Sequence, residues 1–315
     1  MRIQRILCPT DLTPESVSAV RYGAALARAY EAELIQIYCD HGGFHNNSSK
    51  ADPTGLMDAA LREFAQGDPN ALGWRSLITS CEDPGDCITR EALRHKADLV
   101  IMRSRRRPHR AALLGSVAES VCRTAPCPVL VTHTDERDWI NGDARQIGLR
   151  RLLVAYDFSD HSELALKLGL SIAQEYQAEL HLLYVLPPFS LDESEISWYP
   201  LGKEGVYHKA ARRLQKVVPD EAHLWCNIKT VVREGQPYRE IINYAKTNQI
   251  DLVSLGAHGA GFGLLTLFGS NVDRVLRQAP CPVLVARPLK HGRRLASELI
   301  ESEVVRKTGV APATF

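Results

Sequence analysis

The residues with the clearest chemical capacity form a glycine-rich run late in the chain. It reads Leu255-Gly256-Ala257-His258-Gly259-Ala260-Gly261-Phe262-Gly263, then Leu264 to Phe268, then Gly269-Ser270. Glycine lets a backbone take positive φ and approach a ligand closely, and successive backbone N–H groups in such a loop can cradle an anion. A helix starting at this point would add orphan N–H groups and the positive end of its dipole, and the Ser270 hydroxyl is a further donor. The chemistry indicated is phosphate binding. The Gly-Lys-Ser/Thr ending of a Walker A loop is missing, and a dinucleotide fingerprint would follow the first strand of its unit. On composition alone a flexible connection explains the glycines equally well.

A second run, Met102-Arg103-Ser104-Arg105-Arg106-Arg107-Pro108-His109-Arg110, carries five arginines in eight residues and no glycine before Gly115. It could read a phosphate-bearing ligand, an anionic head group or nucleic acid, or be a solvated basic loop. No aromatic residue interleaves the arginines as single-strand binders prefer. His109 and His258 lie in these two loops, and neither has an identifiable partner in the sequence that would make it a catalytic base. The eight cysteines include no C-x-x-C pair, so the usual zinc and thioredoxin spacings are missing. Cys8, Cys127 and Cys281 sit in apolar runs and read as small buried hydrophobes. Cys81 and Cys87 flank the turn-like Asp83-Pro84-Gly85-Asp86, where a redox role has no sequence support.

The elements that must position these residues occur twice. Ala125-Pro126-Cys127-Pro128-Val129-Leu130-Val131 recurs letter for letter as Ala279 to Val285, an offset of 279 − 125 = 154. Gly115-Ser116 recurs as Gly269-Ser270 at the same offset, and Ile6 to Asp11 parallels Leu152 to Asp157 at an offset of 146. Matching order with drifting offset indicates a duplication with changed loop lengths. In the second half the pattern predicts strands at Arg151–Tyr156, Glu179–Val185, Leu224–Val232, Asp251–Leu255 and Cys281–Ala286. Helices are expected from an Asp160 N-cap onward and over Lys203–Val218, Gln236–Asn248 and Asn271–Gln278. The first-half strands fall near Ile3–Cys8, Glu33–Tyr38, Trp74–Thr79, Leu99–Arg103 and Cys127–Val131. Short apolar strands alternating with helices predict an α/β fold, two tandem doubly wound domains, each with a parallel sheet covered by helices on both faces. The divisions expected are 1–133, 150–288 and a tail, 289–315, with Thr132 to Arg150 as a polar linker without period. The tail holds an amphipathic stretch, Arg294 to Arg306, read as a docked terminal helix.

Gly256, two residues, Gly259, nine residues and Gly269-Ser270 resemble the ATP-binding motif of the universal stress protein family. The strand-ending Asp157 and the Ala-Pro-Cys-Pro-Val-Leu-Val final strand are similar to that family too, and the resemblance covers roughly Met1–Val131 and Arg150–Arg287. It implies a five-stranded sheet of order 3-2-1-4-5 in each half and ATP, with or without magnesium, as the ligand. By the resemblance, Ala155 and Asp157 lie near base and ribose, and Val185 packs on the adenine. Leu255, Gly256 and Gly259 line sugar and phosphates, and Gly269, Ser270 and Asn271 meet the phosphates. The family usually has an apolar residue where Asn271 stands. In the first half Gly115-Ser116 and Asp11 survive while the glycine cradle does not, so one nucleotide per chain is expected, in the second half. Domains of this family commonly pair through their last strand, which implies pairing of the halves within one chain, with a further homodimer open.

A formal net charge of +1, with 24% charged and 45% hydrophobic residues, argues against a whole-molecule affinity for nucleic acid or membrane. No apolar run reaches the ~20 residues of a membrane span, and the N-terminus reads as a strand rather than a signal peptide, so a cytoplasmic location is expected. The leading function is a non-catalytic, ATP-binding stress-response protein. A slow ATPase or phosphotransferase is the alternative, but phosphoryl transfer needs neutralising cations, and no Lys or Arg lies between Gly256 and Ser270. An anion-binding or pairing module built on Arg103–Arg110 is the third reading.

Overall fold

A computed structural model describes residues 2–40, 52–64, 73–104, 116–133, 136–141, 146–188, 202–258 and 269–289. The first half runs β1 (Arg5–Thr10), α1 (Val17–Ala29), β2 (Glu33–Asp40), α2 (Pro53–Phe64), β3 (Trp74–Ser80), α3 (Pro84–Arg94), β4 (Leu99–Arg103), α4 (Ser116–Thr124) and β5 (Val129–Thr132). A short ribbon, β6 (Ile140–Asn141) and β7 (Gln146–Ile147), precedes the second half. That half runs β8 (Arg151–Ala155), α5 (Asp160–Tyr176), β9 (Glu179–Leu186), α6 (Gly202–Gln215), β10 (Ile228–Glu234), α7 (Pro237–Thr247), β11 (Leu252–Gly256), α8 (Ser270–Gln278) and β12 (Val283–Ala286). Among the described residues no helix is long and apolar enough to cross a membrane. The expected helix at Arg294–Arg306 lies outside the described residues.

The ten long strands form one sheet in the order β10-β9-β8-β11-β12-β5-β4-β1-β2-β3. Within each half this is 3-2-1-4-5, all parallel, as the family resemblance implied. The halves meet where β12 runs antiparallel to β5, with Leu284 opposite Leu130. These two are the same repeat position, since 284 − 130 = 154, and Tyr30 and Tyr176 (176 − 30 = 146) likewise meet edge-on across the junction, ring centroids 6.5 Å apart. Like positions facing one another are the mark of a two-fold, isologous contact.

Alternation along each strand divides the core between the two faces. Ile6, Cys8, Leu152 and Val154 pack under α1, α2, α5 and α6, while Leu7, Leu153, Val253 and Leu255 pack under α3, α4, α7 and α8. The central strands β5, β11 and β12 are buried along their whole length, whereas edge strands β3 and β10 mix buried and exposed positions. Continuous apolar runs in the middle and mixed ones at the edges are what a doubly covered parallel sheet requires.

The duplication extends to local geometry. Leu12 and Phe158, Glu31 and Gln177, and Lys96 and Gln249 are three pairs of equivalent non-glycine residues with positive φ. Asp98 and Asp251 each accept two backbone N–H groups at the entry to the first strand of their half, from Gln4 and Arg5 at 2.8 and 3.0 Å and from Arg150 and Arg151 at 2.9 Å each. Two expectations need correction. The segment 132–150 is not a bare polar linker: Trp139, Ile140 and Leu149 are buried, and the Trp139 ring meets Tyr22 edge-on at 4.8 Å. The N-cap of α5 is Ser159, whose hydroxyl accepts from the Ser162 N–H at 3.2 Å, with Asp160 the first helical residue.

Candidate functional site

In this strand order the sense of the crossovers reverses between β8 and β11, and in open α/β sheets ligands bind in the crevice outside the carboxyl ends of the strands at such a point. Ala155 ends β8, and its Cα partner on β11 is Leu255. Asp157 follows two residues on. Its carboxylate accepts from the Ser159 N–H at 3.1 Å and the Ser159 hydroxyl at 2.6 Å, an Asx turn that holds Phe158 at φ 64°. Asp11 accepts from the Thr13 N–H at 3.1 Å and the Thr13 hydroxyl at 2.5 Å in the first half. The turn is therefore a property of the fold that both halves keep.

Gly256 ends β11. A Cβ added there would lie 2.7 Å from the His161 carbonyl carbon and 2.8 Å from its carbonyl oxygen, both backbone atoms of the first turn of α5. The glycine is thus required by close packing of β11 on α5, with no left-handed φ at this position. In the first half the equivalent residue is Arg103 (256 − 103 = 153), and there the helix is entered through a 3-10 turn, Pro14–Ser16. Beyond Gly256 the buried Ala257 leads to His258, whose ring sits edge-on to His161 with centroids 5.1 Å apart. His258 therefore has a partner that the sequence did not reveal. Gly259 lies outside the described residues, as do Arg105–Arg110 and His109.

Gly269 is the buried N-cap of α8, with φ −57° and, being glycine, no side chain of its own to cap the first-turn N–H groups. Ser270 and Asn271 are exposed there. Val272 joins Val185, Leu255 and Ala257 in one apolar cluster, with Ala155 packed against it. Eight of the nine expected site residues are thus described, and they lie around the carboxyl ends of β8, β9 and β11 and the start of α8.

The electrostatics add groups the sequence reading passed over. Asp273 in the first turn of α8 is paired with Arg277 one turn on. Arg274 places its guanidinium 4.6 Å over the ring of Tyr238, whose hydroxyl accepts from Arg239 at 2.9 Å. That hydrogen bond, with the two guanidinium charges, holds the Tyr238 phenol below its ordinary range. On the other side Arg213 of α6 lies 3.8 Å over Phe158, which also meets Tyr184 edge-on at 4.8 Å. Arg274 was findable as the i+4 neighbour of Ser270 on a helix. His161 and Arg213 come from α5 and α6 and gave no local signal.

The family model for the universal stress protein family matches residues 2–133 and again 148–287. A universal stress protein of Methanocaldococcus jannaschii is 33% identical over 143 residues, 45% of this chain and 84% of that protein. A universal stress protein of Mycobacterium tuberculosis is 30% identical over 232 residues, 72% of this chain and 73% of the other. Among solved structures, a universal stress protein from Archaeoglobus fulgidus superposes with a TM-score of 0.62, covering 93% of this chain and 100% of that one at 20% identity, a likeness of fold. With two matched segments, two copies of the 3-2-1-4-5 sheet and repeated Asx turns, the chain belongs to the universal stress protein family in a form that carries the family's domain twice.

Proposed function

We propose that the protein is a stress-response regulator that binds one ATP, in the crevice of its second half, without turning it over. The observation that carries this is the exposed start of α8 at Ser270 and Asn271, behind an N-cap glycine with no side chain to cover it, set on the same apolar cluster as Val185, Leu255 and Ala155. An open helix N-terminus suits the phosphates, and the apolar residues at the ends of β8, β9 and β11 suit a flat base. Asp157 is committed to the Ser159 amide and hydroxyl, which favours a role in shaping the loop over one in moving protons. If magnesium accompanies the nucleotide, the exposed Ser270 hydroxyl is a neutral oxygen the helix start would offer it. The β5–β12 ladder supports the reading that the halves act as a pair within one chain.

The test is titration calorimetry with ATP on the full chain and on Ser270→Asp. A carboxylate at the first position of α8 favours the helix dipole, so the fold is retained, while it repels the triphosphate. The parent should bind with a stoichiometry near one, and the variant should lose roughly tenfold or more in affinity. Two equivalent sites, or unchanged affinity in Ser270→Asp, would show that the phosphates lie elsewhere.

A further inference from the structure

Cys39, Cys81 and Cys87 are separated in sequence, yet their Sγ atoms all lie within 4.8 Å of one another. Cys39 stands near the end of β2, Cys81 directly after β3 and Cys87 in the first turn of α3. Each is held by regular structure. Cys39 and Thr79 are register partners, the Cys81 N–H donates to Asp40 O at 2.9 Å, and the Cys87 N–H donates to Asp83 O at 3.0 Å. Asp83 in turn caps α3 by accepting from the Asp86 N–H at 2.9 Å. None of the three is in a disulfide. Cys87 is fully buried, Cys39 nearly so, and Cys81 half-buried, which gives the cluster one open side.

The same three places exist in the second half and hold other residues. Cys39 corresponds to Val185 (39 + 146 = 185) and Cys81 to Gly235 (81 + 154 = 235), whose N–H donates to Leu186 O at 2.9 Å just as that of Cys81 does to Asp40 O. Cys87 corresponds to Glu240, counting from the prolines that open α3 and α7 (87 + 153 = 240), and Glu240 lies against Gly235. The fold brings these positions together in both halves, but only the first half fills them with thiols. One of them is the counterpart of Val185, in the half where Arg103 replaces Gly256.

We propose that the first half holds a thiophilic d10 metal ion, cuprous copper, on Cys39, Cys81 and Cys87. Soft thiolates select such ions, and among the described residues no histidine or carboxylate joins the three as a fourth ligand, which fits a trigonal cuprous site better than tetrahedral zinc. An ion bound to three sulfurs at about 2.3 Å places them roughly 4 Å apart, close to the spacing already present. As each Sγ–metal bond forms, the S–H proton leaves to solvent, so three thiols and one monovalent ion yield a complex of charge −2 and three protons, with no change of oxidation state. Arg90, which also pairs with Glu91 at 3.7 Å, points a guanidinium N–H at Cys87 Sγ from 3.6 Å and offsets part of that charge.

The experiment titrates the reduced full chain anaerobically with cuprous ion delivered from its bicinchoninate complex, then maps alkylation of all eight cysteines by mass spectrometry. One copper per chain is expected, with Cys39, Cys81 and Cys87 protected together. Cys39→Ser, Cys81→Ser and Cys87→Ser should each weaken uptake by roughly tenfold or more. The footprint on the parent chain decides the matter even where a variant fails to fold. No uptake from the competitor overturns the proposal. So does protection of other cysteines, a triple serine variant that folds and still takes up copper, or air oxidation to a disulfide by a reduced form without copper affinity. Zinc that displaces the bound copper would overturn the cuprous assignment.

Discussion

At the scale of single residues, Gly256 shows how a glycine can be needed for packing where a ligand loop was the first explanation. Its Cβ position is taken by backbone atoms of His161, which cannot rotate away as a side chain would. Gly256→Ala must therefore push the first turn of α5 off β11, and overpacking of this kind costs about 1–3 kcal/mol. Gly73→Ala, where nothing lies within 4 Å, should stay within about 0.5 kcal/mol. Thermal melts of both variants check this, and equal midpoints would show that the β11–α5 contact is looser than described. Cysteine burial follows the same local logic. Cys8, Cys127 and Cys281 are fully buried, as their apolar runs predict, and desolvation pushes the Cys127 thiol up to about 12. Desolvation also raises Cys81, up to about 11, despite its half-buried position.

At the scale of elements, β9 and α7 are tied by a buried polar contact. His181 Nδ1 and the Tyr244 hydroxyl lie 2.8 Å apart, and His181 Nε2 is 3.4 Å from the Glu179 carboxylate. Burial lowers the His181 pKa in spite of Glu179. The unfolded chain therefore takes up a proton near the ordinary value of 6.5 that the folded chain refuses. Stability from this group is present above that value and is lost as pH falls through it, because the unfolded state then binds more protons. Glu179, held below 4.5 chiefly by its bond to Lys229, adds its own loss only at lower pH. Urea midpoints should thus fall between about pH 7 and pH 5, and His181→Leu should flatten that slope whatever its absolute cost. A slope unchanged in the variant would place the proton uptake elsewhere.

At the scale of the whole molecule, the halves share one sheet and a half-buried arginine. Arg287, just past β12, donates from Nε to Ala125 O at 2.7 Å and from its terminal nitrogen to Cys122 O at 2.9 Å, both at the end of α4 in the other half. Arg287→Ala leaves these acceptors without their donors, at about 1–3 kcal/mol. Arg287→Lys supplies a point charge without the planar fork and should recover only part of the loss. A urea midpoint that drops in Arg287→Ala with an unchanged far-ultraviolet spectrum is the expected result. No drop would mean that the junction does not depend on these two bonds. The Arg137 N–H, which donates to Pro280 O at 2.7 Å, is a further tie between the segment joining the halves and the second half.

The duplication, the element order and the place of the glycine run were legible in the sequence because each depends on short-range rules. Repeated words such as Ala125 to Val131, apolar strands of a covered sheet and glycines at Gly256 and Gly269 all signal within a few residues. Boundaries shifted by a residue or two where capping chemistry decided, as when Ser159 rather than Asp160 capped α5, and by four where the strand expected from Leu224 begins at Ile228, after a 3-10 turn over Asp220–Leu224. What only the tertiary structure decided are the contacts between residues far apart in sequence: His161 against Gly256, Trp139 against Tyr22, and three thiols from β2, β3 and α3 at one point. Strand register and crossover packing create those neighbours, and neither leaves a trace in local composition. The three cysteines show no metal-binding spacing along the chain because parallel strands bring their carboxyl ends together only after a helix has carried the chain back across the sheet.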